Sequence, residues 1–146
     1  MFSHDGLKDL LTHLAAPPLF YEELRREVSR MERNGERFTI LRLILETDFH
    51  SDVDVLNFSE MLGRAARGEE LIARLGEYEF AILVRGNSLA VANLLDRIAG
   101  KAQSQDPCPR FRNSSVSSQA GESALDLLNR LDSVALAPVN SESLLT

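Results

Sequence analysis

Residues 71–84 read LIARLGEYEFAILV. Two apolar runs rich in branched side chains flank Gly76-Glu77, and a short glycine-containing connection between such runs predicts a β-hairpin. The turn is acidic: Glu77 and Glu79 bracket Tyr78, and Arg74 lies just before it. Carboxylates at a hairpin tip, carried on a rigid sheet, are what a cation-dependent nucleotide site uses. An ordinary solvated turn has the same composition.

Upstream of the hairpin, residues 38–45 (FTILRLIL) form an apolar run broken only by Thr39 and Arg42. Such a run predicts a strand buried on both faces, near the middle of its sheet. Between the two, residues 51–67 return to helical spacing, with Val55, Phe58, Leu62 and Ala65 as the apolar stripe and Ser51-Asp54 as an acidic capping box. Earlier still, Pro18 suits an opening turn, Leu19, Phe20, Leu24, Val28 and Met31 recur at helical spacing, and Asn34-Gly35 stops that helix. Downstream, Gly86-Asn87 breaks the chain, and Ser88 is expected to cap a helix carrying Leu89, Ala92, Leu95 and Ile98. Residues 101–110 read as a polar loop and 111–118 as a weak, serine-rich strand. A last helix is expected over 123–137 through Leu125, Leu128, Leu131 and Val134, ended by Pro138. The order predicts an α+β fold: a mixed sheet with helices packed on it and one antiparallel pair enforced by the hairpin.

The 146 residues suit a single domain (1–146), with its core over about 9–137 and a frayed tail at 138–146. The hydrophobic fraction of 44% and charged fraction of 26% are those of a globular protein. A net charge of −6 with no long basic tract argues against nucleic acid or anionic lipid as a non-specific partner. The lone Cys108 excludes an internal disulfide and fits a reducing compartment. Without a signal peptide or an apolar run of membrane-spanning length, the expected location is cytoplasmic. His4, His13 and His50 lack metal-ligand spacing, Ser114, Ser115, Ser117 and Ser118 lack a nucleophile context, and Cys108 lies between prolines in a loop, so none is assigned chemistry.

Three ordered segments resemble the GGDEF (diguanylate cyclase) domain. Asp9-Leu10-Leu11-Thr12-His13-Leu14, followed by Phe20 and Leu24, is similar to that family's opening DxLTGLxNRxxF…L, with His13, Ala16 and Pro17 in place of Gly, Asn and Arg. Residues 73–83, ARLGEYEFAIL, resemble RLGGDEFAILL, and residues 127–136 resemble the closing helix LLxxADxALY. The resemblance implies a palm-like, nucleotide-cyclase-like core: a mainly antiparallel sheet of about five strands with flanking helices. In active members two domains each hold one GTP and join them into cyclic di-GMP, using divalent cations held by a strand-end Asp and an acidic signature residue. Only eight residues precede the opening motif, so no sensor domain is expected within this stretch, which is either a stand-alone protein or a piece of a longer one.

Carried over residue by residue, the signature is Gly76, Glu77, Tyr78, Glu79 and Phe80. The cation-binding Asp falls on Ile44 and the second acidic position of that strand end on Glu46. Isoleucine offers no lone pair to a hard cation, and a neutral phenol at Tyr78 cannot replace an ionised carboxylate. Glu77 puts a side chain where the family brings backbone close to phosphate. The guanine- and phosphate-reading run shrinks to residues 47–50, with Asp52 or Asp54 as the remnant of its guanine-contacting Asp. A degenerate, catalytically inactive domain is therefore expected, with no metal and no cofactor. Phosphoryl transfer rests on metal and positioning, and both are lost. A shifted cation site built from Glu46, Asp48, Glu77 and Glu79, with residual cyclase activity, is an alternative. The family's product-binding RxxD motif falls on Arg67-Gly68-Glu69-Glu70, and a further Arg falls near Arg97 if one gap is allowed. Arg67, Glu70 and Arg97 are thus candidate cyclic di-GMP ligands, two guanidiniums for phosphates and a carboxylate for a guanine edge. The plainer reading makes Arg67 a helix-end cation and Arg97 a solvated helix residue. The expected role is signal transduction in a bacterial cyclic di-GMP pathway, with another signalling protein or a second copy as partner. A docking or dimerisation module that binds no nucleotide is the other alternative.

Overall fold

The computed structural model of the chain describes residues 3–46, 51–68 and 70–139. Its elements, in order, are α1 (Pro17–Asn34), β1 (Phe38–Glu46), α2 (Asp52–Ala65), β2 (Leu71–Arg74), β3 (Glu79–Arg85), α3 (Ser88–Gln103), β4 (Arg110–Ser117), α4 (Ala124–Asp132) and β5 (Ala137–Val139). The strands form one sheet in the order β2-β3-β1-β4-β5, with every neighbouring pair antiparallel. This is the α+β, five-stranded architecture that the resemblance implies; the mixed sheet expected from the element order is instead antiparallel at every strand pair, because β1 lies between β3 and β4 and runs opposite to both. Among the described residues the one parallel contact is the isolated bridge Ala15–Ala73.

The apolar run 38–45 occupies the central strand, as its two-sided hydrophobicity requires. Alternation sends Leu41, Leu43 and Leu45 to one face, where they pack with Phe80, Ile82 and the buried stripes of α2 and α3. Phe58 of α2 lies between Phe80 and Phe111, with ring centroids 5.2 and 5.1 Å away. On the other face Phe38 and Ile40 meet Phe20 and Leu24 of α1 and Leu127 and Leu131 of α4. Each such side chain contributes about 1.5–3 kcal/mol of burial.

Several boundaries differ from the expectation. Ser51 caps α2 by accepting from Val53 N, so the capping box expected with Asp54 is not the bond made; a true one forms at Ser123 and Asp126. Asn87, not Ser88, caps α3, accepting from Leu89 N. That helix runs on to Gln103, shortening the loop expected over 101–110. Its buried line is Val91, Leu94, Ile98 and Ala102, while Leu89 is 67% exposed. An apolar-rich helix offers several lines at spacing three or four, and only the neighbouring sheet selects one. The last helix stops at Asp132 because Ala137, Pro138 and Val139 pair with Asn113, Arg112 and Phe111. Val134, beyond the helix end, is exposed, as is Leu125, off the buried Leu127–Leu131 line, and Pro138 sits in an edge strand, where a missing N–H is tolerated. Serines at the end of β4 meet polar partners: Ser117 and Thr39 hydroxyls lie 2.9 Å apart, and just beyond the strand Ser118 Oγ accepts from Phe38 N at 3.1 Å. No described helix is long and apolar enough to cross a membrane.

Candidate functional site

The hairpin is closed by Leu75 N and Gly76 N, both donating to Glu79 O. It is anchored from below by a buried ion pair. Arg74, 3% exposed, donates through Nη1 to both carboxylate oxygens of Asp9, 0% exposed, at 3.1 Å. Arg74 Nη2 donates to Glu77 O in the turn at 2.9 Å. Asp9 also accepts from Thr12 N at 2.7 Å and Thr12 Oγ1 at 2.6 Å. The N-terminal segment then joins the edge of β2, with Ala15 N donating to Ile72 O and Arg74 N to Ala15 O. His13 takes φ 61°, the left-handed region, where the resemblance places a glycine.

At the strand ends above this anchor, Ile44 lies opposite Glu79 on β3 and opposite Arg112 on β4. The Glu79 carboxylate faces Arg42, with Arg42 Nε 3.4 Å from its Oε2, and the same guanidinium reaches 3.8 Å from Asp132 at the end of α4. Glu46 accepts a short hydrogen bond from Arg112 Nε. Tyr78 turns the other way, packing against the core beneath α2 and α3, while its carbonyl accepts from Leu45 N. Burial first, then the carboxylates of Glu77, Asp52 and Asp54, push its phenol above the ordinary tyrosine range, against an opposing pull from Arg74. The Tyr78 backbone thus lies beside Ile44 and Leu45, with its side chain against the core cluster shared with α2 and α3. An aliphatic chain, a neutral phenol and two carboxylates already facing arginines do not suit a hard divalent cation. Among the described residues no three His, Cys, Asp or Glu side chains are grouped to hold a metal; Asp48, of the shifted site, lies outside them.

The second group of candidates does converge. Glu70 Oε1 accepts from Arg97 Nη2 at 3.0 Å and from Arg67 N at 2.5 Å. Arg97 Nε also donates to Ala65 O at 2.9 Å, satisfying a carbonyl at the end of α2. Beside this pair a groove of about 490 Å³ runs between the end of α2 and the outer face of α3, lined by Arg64, Arg67, Arg97 and Lys101 among others.

No protein-family model and no curated protein matches the sequence. The solved structures do. The GGDEF domain of DgcB from Caulobacter crescentus, in complex with c-di-GMP, superposes with a TM-score of 0.77 and 23% identity, over 90% of this chain and 86% of that one. This chain has the GGDEF-domain fold. Diguanylate cyclase SiaD from Pseudomonas aeruginosa, in complex with its activator SiaC, matches with a TM-score of 0.76 and 20% identity, over 86% of this chain and 55% of that one. The FimX GGDEF domain from the same organism matches with a TM-score of 0.75 and 16% identity, over 86% and 88% of the two chains.

On the GGDEF fold, the residues that the sequence reading missed are charged partners. Arg42 was visible as the single charge inside the central run, but which carboxylates it meets depends on the β1–β3 register and on where α4 ends. Arg64 and Lys101 carry no motif signal. They line the groove only because α2 and α3 pack side by side.

Proposed function

We propose that this chain is a GGDEF-fold signalling domain that binds cyclic di-GMP at Arg67, Glu70 and Arg97 and does not synthesise it. The observation that carries the reading is the Glu70–Arg97 pair, 3.0 Å apart, with Arg67 beside it at the mouth of a cation-lined groove. Charge-assisted hydrogen bonds of about 1.5–3 kcal/mol each give micromolar binding after ordering costs. The loss of synthesis is supported by Ile44, which offers no oxygen ligand, standing opposite Glu79, whose carboxylate faces the Arg42 guanidinium. Support for a cyclic dinucleotide ligand comes from the c-di-GMP complex of the DgcB domain, and for a protein partner from the SiaD–SiaC complex. On this reading residues 1–146 are one cytoplasmic signalling domain of a bacterial pathway, and its output passes through another signalling protein or a second copy.

Calorimetry with cyclic di-GMP tests the binding half: micromolar heat is expected from the intact protein and none from Arg97→Ala. Absence of heat at protein concentrations well above micromolar sinks it. Incubation with GTP and magnesium or manganese tests the other half. Turnover to cyclic di-GMP that disappears in Glu79→Gln overturns the proposed inactivity.

A further inference from the structure

Among the described residues, the groove next to Glu70 is lined by four cations, Arg64, Arg67, Arg97 and Lys101, and one carboxylate, Asp96, in a chain whose net charge is −6. Arg97 and Lys101 lie four residues apart on α3, hence on one helix face. Among the described residues no carboxylate pairs with Arg64, Arg67 or Lys101, whereas Arg26 and Arg30 each pair with two and Arg112 and Arg130 with one. Gly100 leaves the floor open: a Cβ there would meet nothing within 4 Å. Glu70 is not part of the lining. Its side chain is 11% exposed, and one carboxylate oxygen already takes both the Arg97 guanidinium and the Arg67 N–H.

From this we infer that the groove recognises its ligand by phosphate and not by base. Arg64 and Lys101 extend the grip beyond Arg67 and Arg97, and Glu70 is a positioning residue that holds Arg97. The ligand class is a molecule with two phosphates, such as a cyclic dinucleotide of either purine. Guanidinium and ammonium groups donate to phosphate oxygens whatever base is attached. Discrimination between bases instead needs an edge-reading group that is left unpaired by the wrong one: Glu70 is turned away from that task, and the Arg97 fork that could read a guanine O6/N7 edge already donates through Nε to Ala65 O and through Nη2 to Glu70. The inference rests on the proposed reading for the place of the site, and departs from it on what is read.

Calorimetry on the full chain with cyclic di-GMP, cyclic di-AMP and inorganic pyrophosphate tests it, with thermal unfolding of each variant to confirm folding. The two cyclic dinucleotides are expected to bind within about tenfold of each other, and the Arg64→Ala/Lys101→Ala variant to weaken both about tenfold, the sum of two exposed charge contacts. Glu70→Gln is expected to weaken both by the same factor, because it acts through Arg97. A guanine preference of about a hundredfold that collapses in Glu70→Gln, with Arg64→Ala/Lys101→Ala unchanged, overturns the inference and leaves the proposed function standing. Pyrophosphate binding that needs Arg64 and Lys101, with neither cyclic dinucleotide bound, does the reverse. Absence of binding by all three probes overturns both.

Discussion

Asp9→Ala removes the counter-charge of Arg74 inside the molecule. The guanidinium is 3% exposed and loses both Nη1 bonds, while Nη2 still donates to the Glu77 carbonyl at 2.9 Å. The Thr12 N–H and hydroxyl lose their acceptor in the same step. Removing one partner of a buried pair costs about 3–5 kcal/mol, because an uncompensated charge is left in a poorly solvated place. At this chain length about 1 kcal/mol lowers Tm by roughly 2–4 °C, so the variant should melt roughly 6–20 °C below the parent. Urea and thermal unfolding measure the loss, and amide exchange over residues 75–79 reports whether the hairpin loosens with it. Adding Arg74→Met should restore part of the stability, since the buried guanidinium is then removed together with its Asp9 counter-charge. A cost below about 1 kcal/mol for Asp9→Ala, the size of an exposed ion pair, would refute the reasoning. So would additive losses in the double variant.

Gly86 sits at φ 121°, and a Cβ there would lie 2.9 Å from the Ala90 Cβ, whereas Gly35, at φ 72°, faces open space. Gly86→Ala should therefore cost more than about 1 kcal/mol and more than Gly35→Ala; equal losses in urea unfolding would contradict the clash. Hydrogen bonds from Arg130 hold the Glu122 carboxyl below the usual carboxylate range. The folded state thus binds that proton more weakly than the unfolded chain. The resulting stability is present above the unfolded pKa and is lost as pH falls through the lowered one. Melting temperatures from neutral pH into acid should show the gap between parent and Glu122→Gln closing at the acid end, and a gap independent of pH would refute this.

Much of the fold was legible because it follows from local pattern. The run 38–45 is short, rich in branched residues and apolar at both parities, as suits a strand buried on both faces, and Gly76 lies between two runs that pair as β2 and β3. The lines Leu89–Ala92 and Leu125–Val134 misled because a helix rich in leucine and alanine has more than one apolar face. Their burial is a property of what they touch. Of the candidate residues, Arg67, Glu70 and Arg97 follow from a motif and a permitted gap, and they lie together; Tyr78 offers no carboxylate at its signature position, and its side chain packs partly buried against the core.

By itself the sequence determined the hairpin, the buried central strand and the absence of a carboxylate at positions 44 and 78, since side-chain chemistry and strand alternation are carried in the chain. Only the tertiary structure decided where the charges go: Arg42 onto Glu79, Arg74 under the hairpin onto Asp9, and Arg64 and Lys101 into one groove with Arg97. The physical reason is range. Periodicity is set by neighbours a few residues apart, whereas Asp9 and Arg74, 65 residues apart in the chain, meet only after the sheet has formed and water has been excluded between them.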